Sequence, residues 1–218
     1  METEILVSGT AVLRVLPDRA VLRVEVDGEG QTRDQAYSQA APLAAAVDEV
    51  LERHRGPIER VVTASLMVHP KTRWKRGQSI RTGWRASRVT IVEVVDFTVL
   101  GDLLAELAAA GGAVDGPNWV LDADNPVHVE ARRQAAADAR QRADAYAEAL
   151  GLQVVAVAWV AEPGLRRGSG GGFGDDGVAF ARAAAAPAGG GFDETISVTP
   201  VELPVSCKVV GGFTFGAA

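Results

Sequence analysis

Leu16-Pro17-Asp18-Arg19-Ala20-Val21-Leu22-Arg23-Val24-Glu25-Val26-Asp27 alternates apolar and charged side chains from residue 22 onward. Leu22, Val24 and Val26 fall on one face, and Arg23, Glu25 and Asp27 on the other. A period of two marks a strand with one buried and one wet face, the habit of antiparallel sheets. Residues 4–16, rich in Val, Leu, Ile and Thr, read as a strand before it. Pro17-Asp18 supplies turn chemistry between the two. They are expected to pair as an antiparallel hairpin.

Outward from this pair the period changes to that of a helix. Thr32-Arg33-Asp34-Gln35 fits a capping box. Ala36, Ala40, Leu43, Val47, Val50, Leu51 and His54 follow at helical spacing, and Gly56-Pro57 ends the run. Pro42 inside it costs about 3 kcal/mol or bends the helix. Residues 60–69 and 80–98 read as strands joined by a polar loop over 70–79. Residues 99–110 read as a second helix ending at Gly111-Gly112, and 117–122 as a short strand.

The clearest element is a helix from Pro126 to Leu150, opened by Asn125-Pro126 and stopped by Gly151. It holds nine alanines, and Ala135, Ala139, Ala143, Tyr146 and Leu150 form one stripe. Alanine on the buried face lets a helix lie close to a sheet or to another helix. Asp138–Arg142 and Arg140–Asp144 add charge pairs one turn apart. Residues 153–161 and 195–210 read as strands. In the second, Val201, Leu203, Val205, Cys207 and Val209 share a face, which places Cys207 with the core.

The predicted fold is therefore α+β, with antiparallel sheets, helices packed on them and a long Ala-rich helix. It forms one domain over residues 1–218, or two subdomains at about 1–98 and 99–218. Residues 164–191 are glycine-rich, with Ala183 to Ala186 in a row. They hold too few large apolar groups to offset ordering entropy and are expected to form a flexible loop.

Composition bounds the function. The chain has 218 residues, 47% hydrophobic and 23% charged, as a folded globular protein has. A net charge of −6 argues against nucleic-acid binding by the surface as a whole. Cys207 is the one cysteine, so no intramolecular disulfide and no cysteine-based metal site exist. The start Met1-Glu2-Thr3-Glu4-Ile5 is acidic, unlike a secretory signal. No apolar run reaches the length of a membrane span. A cytoplasmic location is expected, and a periplasmic one only if an export signal precedes this sequence.

No motif assigns a catalytic, cofactor-binding or metal-ligating residue. His54, His69 and His128 lack the spacing of a zinc helix. His128-Val129-Glu130 has the H-x-E of zinc deaminases without their cysteine pair. Gly168 to Gly174 lacks the Lys-Ser/Thr of a phosphate loop, and Asp175-Asp176 alone is too sparse for a cation. The chain is read as non-enzymatic and free of cofactors.

One stretch stands apart. Lys71, Arg73, Lys75, Arg76, Arg81, Arg85 and Arg88 follow one another with no acidic residue between, and Trp74 and Trp84 lie among them. Subtracting these seven from the net charge leaves about −13 on the rest. The patch suits either an interface with the acidic surface of a neighbouring subunit or an anion-binding module. The second would take nucleic acid through phosphate contacts and stacking, or acidic lipid.

The order of short motifs resembles the SIMPL-domain (YggE-like) family. Val7-Ser8-Gly9-Thr10-Ala11 and Pro17-Asp18-Arg19-Ala20 are similar to its V-x-G-x-G … P-D-x-A opening, with Ala11 in place of the second glycine. Gln35-Ala36 resembles its E-A. Gly83-Trp84-Arg85-Ala86-Ser87 resembles its G-Y-x-A-S, and Ala110-Gly111-Gly112 its A-G-A. Ala135 to Gly151 resembles its A-x-x-D-A-x-x-x-A-x-x-Y-A-x-x-L-G. Val201 to Phe215 falls where the family has its last strand. The resemblance implies an α+β fold and self-assembly, since some relatives form large ring-like oligomers. It also implies a bacterial stress-response setting. It carries over no catalytic residue.

Overall fold

The structure is a computed structural model that describes residues 3–75, 77–165 and 198–217, apart from the side chains of Thr3 and Lys75. The glycine-rich loop expected over 164–191 lies outside the described residues from residue 166 on. Among the described residues, seven strands and three α-helices follow in chain order. They are β1 (Thr3–Val15), β2 (Arg19–Gly30), α1 (Arg33–Arg53), β3 (Ile58–Lys75) and β4 (Gln78–Val94). Then come α2 (Leu100–Ala109), β5 (Ala113–Val120), α3 (Val127–Ala149), β6 (Leu152–Ala161) and β7 (Leu203–Ala217). A 3-10 turn, Phe97–Val99, precedes α2. The fold is α+β with antiparallel sheets, as the sequence implies.

The elements form two compact units. One holds the three-stranded sheet β1-β7-β6 and α3. The other holds the four-stranded sheet β3-β4-β2-β5 with α1 and α2.

β1 and β2 do not form the expected hairpin. β1 pairs with β7 and β2 with β4 and β5, in different sheets. Pro17 is buried, and the Asp18 amide donates to the Val120 carbonyl at 3.0 Å instead of closing a turn onto β1. The β2 alternation itself holds: Ala20, Leu22, Val24 and Val26 are buried. They meet Val47, Val50 and Leu51 of α1, Leu100, Leu103 and Leu107 of α2, and Val92 and Val94 of β4. Each fully buried Leu or Val here contributes about 1.5–3 kcal/mol of transfer free energy. The capping box forms as well. Thr32 Oγ1 accepts from the Gln35 amide at 3.2 Å, and Gln35 Oε1 accepts from the Thr32 amide at 3.2 Å. Pro42 lies on the exposed side of α1.

α3 buries Ala131, Ala135, Ala139, Ala143 and Ala147 on β1 and β7. The expected stripe is corrected at its end. It continues by fours to Ala147, while Tyr146 and Leu150 are exposed. The reason is closeness, because α3 crosses β1 over Gly9 and only small side chains fit there. A Cβ on Gly9 would collide with the Ala135 carbonyl and the Ala139 amide. Cys207 is half-buried, opposite Ala11 on β7. The last strand starts at Leu203, so Val201 lies before it.

Candidate functional site

The basic stretch lies on β3 and β4, which are longer than the sequence suggests. The polar loop expected over 70–79 is strand as far as Lys75 and again from Gln78, with Gly77 at φ +79° in the turn. Positive φ favours glycine there. β2 accompanies β4 only as far as the Gly30–Trp84 pair. Residues 71–75 and 77–83 therefore form a two-stranded ribbon with no third strand beside it among the described residues.

Register sorts the basic residues by partner. Val26, opposite Arg88, is a core residue, so Arg88 lies on the α1 side. Its guanidinium donates to both carboxylate oxygens of Asp48 at 2.8 Å and to the Ala44 carbonyl at 3.0 Å. Arg85, opposite Glu29, lies on the other face. It sits 3.4 Å from Glu25, and its Nε is 3.3 Å from Asp27, near enough for ionic attraction but out of line for a hydrogen bond. The Lys71 ammonium donates to Glu29 at 2.6 Å and 2.7 Å. That hydrogen bond holds the Glu29 carboxyl below its ordinary pKa, with smaller help from the nearby charges of Lys71 and Arg85.

Three of the seven basic residues are thus matched by acids of β2 and α1. The others differ. Arg81 lies 5.5 Å over the Trp84 ring and Arg33 lies 4.3 Å over it, while Trp84 packs against Ala36, Ala40 and Ala86. Arg73 pairs across the ribbon with Ile80 and has no ion pair among the described residues. Trp74 is 75% exposed. Arg76 and the Lys75 side chain lie outside the described residues.

β3 also carries a feature that charge counting misses. It is an edge strand with β4 on one side and, among the described residues, no neighbour on the other. Leu66 is 63% exposed, and Val61, Met67 and Val68 are exposed beside it. By register, Val61, Leu66 and Val68 share the α1 side, but α1 lies mainly over β2 and β4. The sequence signal was present in Val61, Leu66 and Val68, but only the strand order shows that none of the described residues covers them.

The Arg88–Asp48 pair has a measurable worth. Arg88 is 16% exposed and Asp48 55%. Asp48→Ala should destabilise by about 1–2 kcal/mol, less than a fully buried pair because water screens Asp48. Denaturant unfolding measures this, and an unchanged midpoint would mean that Arg88 finds other solvation.

No group of three or more His, Cys, Asp or Glu side chains converges on a metal position among the described residues. One cavity, about 490 Å³, is lined by Val95, Asp96, Phe97, Thr98, Val198, Thr199 and Pro200. Its Asp96 already accepts from the hydroxyl of Thr98 at 2.6 Å and from its amide at 3.0 Å, which lowers the carboxyl pKa. A smaller one, about 200 Å³, lies between α3, β6 and β7, with Arg140 its one ionised side chain. His54 accompanies Arg53 on Glu106 at 3.0 Å, and His128 contacts the Asp122 carbonyl at 3.0 Å. No helix among the described residues is long and apolar enough to cross a membrane.

Residues 5–213 match the family model described as SIMPL, protein of unknown function (DUF541). The chain is also 31% identical over 107 residues to the uncharacterized protein YggE of Escherichia coli strain K12. The proteins of that name from Escherichia coli O157:H7 and Shigella flexneri match equally. These alignments cover 49% of this chain and 44% of the relative, so the chain spans less than half the length of the curated relatives it matches.

Proposed function

The chain belongs to the SIMPL family of proteins of unknown function, and on that footing we propose that it is a non-catalytic, self-assembling protein whose copies join along the open edge of β3. The observation that carries this reading is residues 65–69 of the edge strand β3, in unbroken register with β4 between the shift at Thr63/Ser65 and Pro70, with no second neighbour among the described residues and with Leu66, Met67 and Val68 exposed. An uncovered edge presents a row of unpaired amides and carbonyls, a template for another chain. Exposed apolar side chains on the same strand add a hydrophobic gain on pairing. The bare ribbon points the same way, since two strands alone are marginally stable and gain from a surface to rest on.

The test is a double variant, Leu66→Lys with Val68→Lys. Lysine on an edge is a common device against strand addition. Both sites are exposed, so the fold should survive with little cost, within about 0.5 kcal/mol each. The expected result is a fall in solution mass to that of the 22.8 kDa chain, with the circular dichroism unchanged. A folded variant that keeps the parent mass would remove β3 as the contact.

The second reading, an anion-binding module over residues 71–88, is favoured by Trp74 and Arg73 on the ribbon. Trp84 offers it little, because Arg33 and Arg81 already lie over its ring. Arg73→Ser with Arg81→Ser should then weaken binding to single-stranded nucleic acid or anionic vesicles at low salt. Absence of binding by the parent protein there would end this reading.

A further inference from the structure

The three-stranded sheet has open edges of its own, and they differ. β6 has register shifts at Val154/Ala156 and Val157/Trp159, and such bulges blunt an edge, as do the shifts at Ile58/Arg60 and Thr63/Ser65 in the first part of β3. β1 has none. It runs against β7 in unbroken register from Thr3 to Val15, and Leu6 and Val12 are exposed along it. By shape alone β1 is the better template for an added strand.

One of its amides is already taken. The Thr10 N–H donates to Asp138 Oδ2 of α3 at 2.8 Å. Among the described residues β7 is the only neighbour of β1, so an amide that bonds to a side chain rather than the ladder lies on the open edge. Asp138 is steadied by Arg142 one turn on, whose Nε is 3.0 Å from the same oxygen. The carboxylate reaches the strand because α3 crosses so close over Gly9, the residue before Thr10. The hydrogen bond from Thr10, more than the one from Arg142, holds the Asp138 carboxyl below its ordinary pKa.

We infer that Asp138 guards the open edge of β1 against strand addition by a second copy of the chain. An incoming strand would need to place a carbonyl oxygen where the Asp138 carboxylate stands. The two oxygens repel, and the charged helix side chain also blocks the approach. Blocking an edge with a charge is a known means of preventing unwanted pairing. In its choice of partner, the inference rests on the self-association proposed above. The geometry of the guard does not.

The experiment replaces Asp138 with Ala in the full chain, both alone and in the Leu66→Lys, Val68→Lys background. Hydrogen exchange at the Thr10 amide should speed up by about tenfold, the loss of one charge-assisted hydrogen bond. A new, larger species that grows with concentration should appear in both backgrounds. Adding Thr10→Pro removes the donor that strand addition needs, and should abolish that species. Unchanged exchange and unchanged mass in Asp138→Ala would overturn the inference, as would a larger species that survives Thr10→Pro. If Asp138→Ala does not fold, Arg142→Ala frees the carboxylate and should move both readings the same way by less, and no movement there overturns the guard. Failure of β3 pairing shows instead as a parent protein of single-chain mass, and the guard is still read from the Asp138→Ala pair.

Discussion

Gly9→Val is expected to unfold the unit built from β1, β7, β6 and α3, whereas Gly56→Val leaves the protein nearly as stable as the parent. A Cβ on Gly9 has no room, because it meets backbone atoms of α3 at Ala135 and Ala139 rather than a side chain that could turn aside. Relief requires the whole helix to lift from the sheet, which strips contacts from Val7, Ala139, Ala143 and Phe213. A cost above about 3 kcal/mol follows from overpacking of this kind. The other unit uses the same device. A Cβ on Gly28 of β2 would lie 2.5 Å from the Ala36 carbonyl oxygen and 2.5 Å from the Ala40 amide of α1. Gly28→Val should therefore be as damaging to its own unit. Gly56 has nothing within 4 Å and serves as the control. Urea unfolding followed by near-ultraviolet circular dichroism separates these outcomes. Parent-like midpoints for the two strand variants would mean that the helices are not held as close as the Gly–Ala contacts require.

Leu103→Ala should give the second large effect. Leu103 is fully buried on α2, within a cluster that joins Leu22 and Val24 of β2 to Val47 of α1 and Val92 of β4. The lost transfer energy and the remaining cavity together cost about 2–5 kcal/mol. Leu66→Ala removes the same atoms from an exposed position on β3, and should change the stability of the single chain by no more than about 0.5 kcal/mol. Thermal unfolding of the two variants side by side tests the contrast. Similar shifts would show that Leu66 is covered in the free chain.

What the sequence allowed to be read, and what it hid, follows from the range of each signal. The alternation at Leu22, Val24 and Val26 marks which face is buried, because that depends on the strand alone. It says nothing of the neighbouring strand, and so the β1–β2 hairpin was expected where β7 and β4 are the partners. The helix starts were legible because caps are local, as Thr32 with Gln35 and Asn125 with the Val127 amide illustrate. The alanine stripe was legible, but its end was misplaced, because the next small residue in the spacing, Ala147, lies one position beyond Tyr146.

The basic patch was visible as a run of charges. The pairing of Lys71, Arg85 and Arg88 with Glu29, Glu25, Asp27 and Asp48 depends on register and helix placement, which no local pattern carries. The open edge of β3 was hidden for the same reason. A strand between two neighbours and a strand at an edge can share one pattern of residues. The resemblance of short motifs to the family supplied what periodicity could not, and the matched span of residues 5–213 agrees with it.

The most direct test is the solution mass of the full-length protein by light scattering across the micromolar range, at low and at high salt. Pairing along β3 through backbone hydrogen bonds and apolar side chains predicts a mass of two or more 22.8 kDa chains at both salts. A single-chain mass at both would contradict it, and an oligomer that dissolves at high salt would move the contact from the β3 edge to the basic ribbon.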